Sequence, residues 1–322
     1  MVFFVILLTI LLSSPSCFSC DDQKLKNAQV RRVNHQENKN RKLTKGMINS
    51  TKAESIQTVN VDDFGAKADG RTDDSQAITF SKCTNLRVTN LMIKNPQQMH
   101  VNFQDCQNVE ASNLTLTAPE KSPNTDGIHV SGTRNISIKN SVVKTGDDCI
   151  SIVNGSRNVQ ATGIVCGPGH GISIGSLGKN GAEDQVSNVL VNGAAISGTT
   201  NGLRIKTWQG GSGYAKNITF ENVVMQNVNN PIIIDQNYCD QNEPCQNQKS
   251  AVQVENVVYK NIRGTSASEV AMKFDCSATF PCKGVVLQNV NLTGQAGRNA
   301  KATCTNLKLD YRVASISPRC PN

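Results

Sequence analysis

An asparagine followed by an aliphatic or β-branched residue recurs along this chain, at Asn85-Leu86, Asn108-Val109, Asn135-Ile136, Asn158-Val159, Asn188-Val189, Asn217-Ile218 and Asn256-Val257. The intervals run from roughly 23 to 39 residues, inside the range that marks a solenoid rather than a globular fold. Around each asparagine the residues alternate as in Ile136-Ser137-Ile138. That is the period of two of a strand, and the intervening Gly, Asn and Asp are turn formers. No long stretch has helical periodicity. Coils of several short strands stacked in register make a parallel β-helix, which buries one continuous aliphatic core between neighbouring coils. With only 4% aromatic residues, the chain suits a core of stacked Val, Ile and Leu. The asparagines are expected to form a ladder of side-chain amides at the turns.

A second repeated series lies within the same coils: Asp126-Gly-Ile-His-Val, Asp148-Cys-Ile-Ser-Ile, His170-Gly-Ile-Ser-Ile, Asn201-Gly-Leu-Arg-Ile and Asn230-Pro-Ile-Ile-Ile. In-register strands of adjacent coils stand about 4.8 Å apart, so Asp126, Asp148 and His170 are expected on successive rungs. The inward positions are Ile128 and Val130, Ile150 and Ile152, Ile172 and Ile174, Leu203 and Ile205. His129, Ser151, Ser173, Arg204 and Ile233 then form one outward row, with Lys206 and Asp235 in the next.

The chain divides into three parts. Residues 1–20 are an apolar run ending in small residues and read as a secretory signal, although no early positive charge precedes it. As a membrane span this run is short, and no later segment is apolar enough to act as one. Residues 21–55 are polar and lysine-rich, a basic flexible pro-segment or linker, and residues 56–322 form one β-helix domain. The formal charge is +8, but between Asp21 and Lys45 eight Lys and Arg face three Asp and Glu, so +5 of the excess lies in the linker. The domain is only mildly basic, and nucleic acid is not an expected partner.

Twelve cysteines behind a secretory signal fit an oxidising compartment. Cys239 with Cys245 and Cys276 with Cys282 share a spacing and are expected as local bridges, followed by Cys149 with Cys166 and Cys304 with Cys320. Cys83 and Cys106 each precede a repeat asparagine by two residues and should stack in adjacent coils, as a bridge or as buried thiols. No histidine joins these cysteines at zinc-ligand spacing, and no metal or other cofactor is expected. Sequons at Asn49, Asn113, Asn135, Asn154, Asn217 and Asn291 permit glycosylation.

Taken singly, the chemical motifs are bland: Asn124-Thr125-Asp126-Gly127 and Gly146-Asp147-Asp148 are ordinary turns, His170 is a loop histidine, and Arg204 with Lys206 is a solvated strand face. Shared register reverses that reading. Crowding Asp126, Asp147 and Asp148 raises the pKa of at least one carboxyl, which supplies an acid while the others remain bases. This is the equipment of glycosidic hydrolysis. His170 can hold or tune the acid's proton, and the Arg204 fork with the Lys206 point charge suits an acidic sugar. Trp208 either stacks on a sugar or packs on its own loop, and Tyr238 beside Cys239 is equally open.

The four motifs Asn-Thr-Asp, Gly-Asp-Asp, Gly-His-Gly and Arg-Ile-Lys, in this order, resemble those of plant polygalacturonases of glycoside hydrolase family 28. The resemblance runs from Phe80 to Cys320. It implies a right-handed, pectin lyase-like parallel β-helix and metal-free hydrolysis of de-esterified α-1,4-galacturonan (homogalacturonan) with inversion. It further implies a secreted, monomeric enzyme of the plant cell wall. Carried onto these positions, it makes Asp147 the general acid, Asp126 and Asp148 the activators of water, and His170 the support of the acid. Arg204, Lys206 and Tyr238 become galacturonate binders. One departure stands out. The segment Val61 to Asp74 resembles the start of these enzymes, yet Gln76-Ala77 runs directly into Ile78-Thr79-Phe80, where family members place a capping helix and the first coils. The expected solenoid therefore lacks its N-terminal cap and first coils. Two alternatives follow, a catalytically impaired pectin-binding wall protein and a pectate lyase with calcium and an arginine base.

Overall fold

The computed structural model describes residues 17–19, 78–241, 245–248, 251–311 and 316–321. The linker, the lead-in segment before Ile78 and most of the expected signal lie outside them. Every strand pairing among the described strands is parallel, and the strands fall into two sheets. This is the expected parallel β-helix. The ten-stranded sheet contains, in spatial order, Cys17–Ser19, Ile78–Ser81, Val101–Gln104, Ile128–Ser131, Asp148–Ile152, Gly171–Leu177, Asn201–Thr207, Asn230–Asp235, Val270–Asp275 and Lys301–Thr305. The fifteen-stranded sheet makes the other two sides of the coil. Those sides are separate in the early coils and merge in the 17-residue strand Ser212–Val228, which pairs with Glu183–Asn192 and with Ala195–Ser197.

The asparagines explain why the chain turns where it does. Asn85, Asn108, Asn135, Asn158, Asn188, Asn217 and Asn256 all have φ between 54° and 58°, a left-handed conformation that a short polar side chain tolerates better than any branched one. Each side-chain amide then donates to the Oδ1 of the asparagine one coil back, at 2.8 to 3.2 Å from Asn108 through Asn256. A second ladder runs Asn192, Asn222, Asn261 and Asn289 at 2.8 to 3.0 Å. The residue thus serves twice, in the backbone geometry of the corner and in the lateral bond that fixes coil to coil.

Inside, like stacks on like. Ile128, Ile150, Ile172, Leu203, Ile232, Met272 and Ala302 are successive register partners, as are Val130, Ile152, Ile174, Ile205, Ile234 and Phe274. Nearly all are sealed from solvent, and at about 25 cal/mol per Å² of apolar surface this column is the main stabilising term. Aromatics gather near the two ends, with Phe80 on Phe103 and Phe220, Tyr259 and Phe274 together. The four expected disulfides form, Cys149–Cys166, Cys239–Cys245, Cys276–Cys282 and Cys304–Cys320. Cys83 and Cys106 do stack, but do not bridge: Cys83 is engaged in another disulfide, and Cys106 is a buried free thiol whose Sγ accepts from the Cys83 amide at 3.3 Å.

If the ladder asparagine serves both purposes, two substitutions separate them. Asn158→Gly keeps the left-handed turn and loses the amide bonds, and is expected to cost about 1–2 kcal/mol. Asn158→Val also strains the backbone and should cost roughly 1–3 kcal/mol more. Urea midpoints of the three proteins check this order; equal losses would show that the backbone conformation is irrelevant.

Candidate active site

The outward row forms as the register requires: Asn102, His129, Ser151, Ser173, Arg204, Ile233 and Lys273 are partners in turn, and Lys206 aligns with Asp235 and Asp275. Asp126 and Asp147 sit in the turns leading into this sheet, and Asp148 begins its strand. The two turns are tied by Thr125, which is buried. Its Oγ1 accepts from the Gly146 amide at 3.1 Å, and the Thr145 hydroxyl lies against its carbonyl and its Oγ1. Gly169 admits the next turn: its φ is +134°, and a Cβ there would stand 2.5 Å from the Asp147 carbonyl oxygen.

Each of the three carboxylates has its own partners. Asp148 is 1% exposed. Its Oδ1 accepts from Ser173 Oγ and Arg204 Nη2, each at 2.7 Å, and its Oδ2 from Lys206 Nζ at 3.1 Å. Arg204 Nε in turn donates to Ser173 Oγ at 2.9 Å. Asp147 Oδ1 accepts from His170 Nδ1 at 2.9 Å and from the Asp148 amide at 2.8 Å. Burial raises the Asp147 carboxyl, but the His170 hydrogen bond and charge, the Asp148 amide and Lys206 together bring it below its usual value. Asp126 goes the other way. Burial pushes its pKa up, the Asp148 and Asp147 charges add to that, and only His129 opposes, through a contact of 3.2 Å between Nδ1 and Asp126 Oδ2. Two similar carboxyls side by side thus hold protons with different strength.

Tyr238 joins the cluster. Its ring lies 5.4 Å from Lys206 Nζ, and Trp208 meets it edge-on with centroids 5.6 Å apart. Trp208 is 6% exposed, with Lys179 Nζ 4.9 Å above its ring. It therefore packs under Tyr238 and does not offer a face to a ligand. All seven residues singled out in the sequence come together, with one difference in how they do so. Arg204 and Lys206 were expected to face a ligand, but they reach back across the sheet to hold Asp148, because a buried carboxylate needs compensating charge. Sequence reasoning missed Ser173 and His129 as members of the site. Both were placed on the outward row, and their distance from the aspartates along that row was the available signal.

Asp147, Asp148 and His170 also offer ligand atoms within 4.8 Å of one another. Two cations already occupy Asp148, and their charge repels a third, so this donor set is a poor metal cage. No helix among the described residues is long and apolar enough to cross a membrane.

The fold is that of a right-handed parallel β-helix, and on one outer face it gathers three carboxylates, two histidines and the Arg204 and Lys206 side chains paired with Asp148. The family described as Glycosyl hydrolases family 28 matches residues 32–316, and the chain belongs to it. The chain is 62% identical over 245 residues to "Polygalacturonase QRT2" of Arabidopsis thaliana, covering 76% of this chain and 56% of that protein. It is 60% identical over 244 residues to "Polygalacturonase-2" of Solanum lycopersicum, covering 76% and 53%. The chain therefore spans little more than half the length of these relatives. Among solved structures it resembles an endo-xylogalacturonan hydrolase from Aspergillus tubingensis, with TM-score 0.65, 27% identity, and 76% of this chain and 68% of that one covered. A polygalacturonase from Erwinia carotovora ssp. carotovora aligns with TM-score 0.62 and 29% identity over 72% of this chain and 59% of that one.

The opposed shifts of Asp126 and Asp147 predict a sign. Because the folded pKa of Asp126 is raised, its ionisation opposes folding above the unfolded value of about 3.9. Asp126→Asn removes that cost. The variant should melt with wild type at pH 3.5 and above it at pH 7, by about 2–4 °C per kcal/mol gained, the gap opening as the pH rises through the carboxylate range. Thermal melts at several pH values check this, and a constant gap would place the cause elsewhere.

Proposed function

We propose that this protein hydrolyses the α-1,4-galacturonosyl linkages of de-esterified homogalacturonan, with inversion, in the plant cell wall after secretion, and acts as a monomer. The observation that carries the reading is the division of labour among the carboxylates. One is paired with a histidine, one is held by two cations, and one has a raised affinity for protons.

Asp147 is the general acid. Its Oδ1 is occupied by His170 and the Asp148 amide, which leaves Oδ2 to carry a proton to the leaving glycosidic oxygen. His170 Nδ1, 2.9 Å from Asp147 Oδ1, fixes the orientation of the carboxyl in the free site. The arriving sugar carboxylate adds negative charge and excludes water, and both effects raise Asp147 toward the protonated form. Asp148, held between Arg204 and Lys206, orients the water. Asp126, the stronger base of the two, takes the water's proton as its oxygen attacks the anomeric carbon.

Arg204 and Lys206 can hold Asp148 and still bind substrate. Arg204 uses Nε and one N–H of Nη2, so three of its five N–H donors remain, and Lys206 has two of three. Tyr238 offers its ring edge and hydroxyl beside them. An eliminating lyase would need calcium and an arginine able to give up its proton. Arg204 is engaged by Asp148 and Ser173 at 2.7 and 2.9 Å and is not free for that role, which favours hydrolysis.

The deciding assay is release of reducing ends from polygalacturonate by the full chain, with product anomers followed by NMR. Inverted products without ultraviolet absorbance support the proposal. Unsaturated products would instead indicate a lyase, and binding without turnover a wall-binding protein. Asp147→Asn is expected to lose about 10²- to 10⁴-fold in kcat while still binding oligogalacturonate; activity within a few-fold of wild type would take Asp147 out of the acid's role. Lys206→Ala should weaken binding of galacturonan more than of its methyl ester, since only the free acid has a charge to lose. Equal losses would assign Lys206 to holding Asp148 alone.

A further inference from the structure

We infer that His129 is a positioning residue for Asp126, holding the base ionised and correctly turned beside two other carboxylates. The inference rests on the proposed hydrolysis, and its first observation is geometric. His129 Nδ1 stands 3.2 Å from Asp126 Oδ2, with side chains 17% and 14% exposed respectively. This is the only side-chain hydrogen bond of the Asp126 carboxylate among the described residues, whereas Asp147 has His170 and Asp148 has Ser173, Arg204 and Lys206.

His129 is held rigidly for the purpose. It lies in the strand Ile128–Ser131 between two sealed residues, Ile128 and Val130. Its register partners are Asn102 one coil back and Ser151 one coil on, so no charged side chain flanks it along the row. The Asp126 backbone is anchored from the other side by the buried His100, whose amide and Nδ1 both meet the Asp126 carbonyl oxygen, at 2.7 and 3.1 Å.

The charges that Asp126 meets are Asp147 and Asp148 from the next coil, which disfavour its ionisation, and His129 in its own coil, which favours it. Remove His129 and the main group that offsets burial and the two anions is lost. Asp126 then retains a proton to higher pH and cannot accept one from water. The lower limit of the pH–rate profile is therefore set by Asp126 together with a histidine that lies outside the four signature motifs.

The test is the pH dependence of kcat/KM for wild type, His129→Leu and His129→Asn. Leucine fills the space without a donor, and the acidic limb should move up by roughly one pH unit or more, with at least a tenfold loss below it. Asparagine places an amide N–H near the position of Nδ1 and should recover most of the rate. Leucine and asparagine profiles of the same shape as wild type, lowered equally at all pH values, would reduce His129 to a structural role and overturn the inference.

A readout that needs no substrate separates this from a failure of the proposed hydrolysis. The chain has only four histidines, so the His129 ring can be followed by NMR. Asp126→Asn should move the His129 ring nitrogen resonances, because the carboxylate facing Nδ1 at 3.2 Å becomes a neutral amide. Ring resonances unmoved by that change overturn the pairing, whether or not the protein cleaves galacturonan.

Discussion

The separation of about 4.8 Å between parallel strands in register is the constraint from which the rest of this molecule follows. It puts equivalent residues of successive coils in contact, so one repeated choice becomes a continuous structure: isoleucine on isoleucine inside, asparagine on asparagine at the corners. Such a chain is stabilised by nearest neighbours alone. Outside the sheet, the same spacing brings residues 20 to 60 positions apart into one cluster. Asp148 and Lys206 are 58 residues apart in sequence and 3.1 Å apart in space.

Electrostatics then differentiates what stacking places together. Three carboxylates on adjacent rungs would compete for protons and be chemically alike. The burial of Asp148 under Arg204 and Lys206, the pairing of Asp147 with His170, and the lone His129 contact of Asp126 make them unlike. The arrangement is costly for stability, since buried ions recover their desolvation only when fully paired. It is tolerated because the aliphatic column beneath carries the fold, and the site occupies only its outer face.

Much of this was legible in the residues. The Asn-aliphatic repeat announced both the coil and its ladder, and the alternation within Asp148–Ile152 or Asn201–Thr207 separated inward from outward side chains correctly. The disulfides followed from spacing, and the cluster of seven site residues from register. The hidden part is which partner each side chain chooses. Ser173 looked like a filler of the outward row and proves to bridge Arg204 and Asp148. Trp208 had two equal readings, and its burial against Tyr238 and Lys179 decides for packing. Cys83 and Cys106 stack as the repeat requires, yet stacking alone did not say that they stay unbridged to each other.

The sequence by itself determined the solenoid, because a parallel β-helix is a local rule repeated, and a local rule is written in spacing and side-chain type. It also determined which residues share the outer face, since that is a matter of parity along each strand. Only the tertiary structure decided the ion pairing. Whether Arg204 turns toward solvent or back to Asp148 depends on the burial of that carboxylate under neighbouring coils, and whether Asp126 or Asp147 keeps its proton longer depends on charges from three different turns. Those are sums over neighbours in space, and no single repeat contains them.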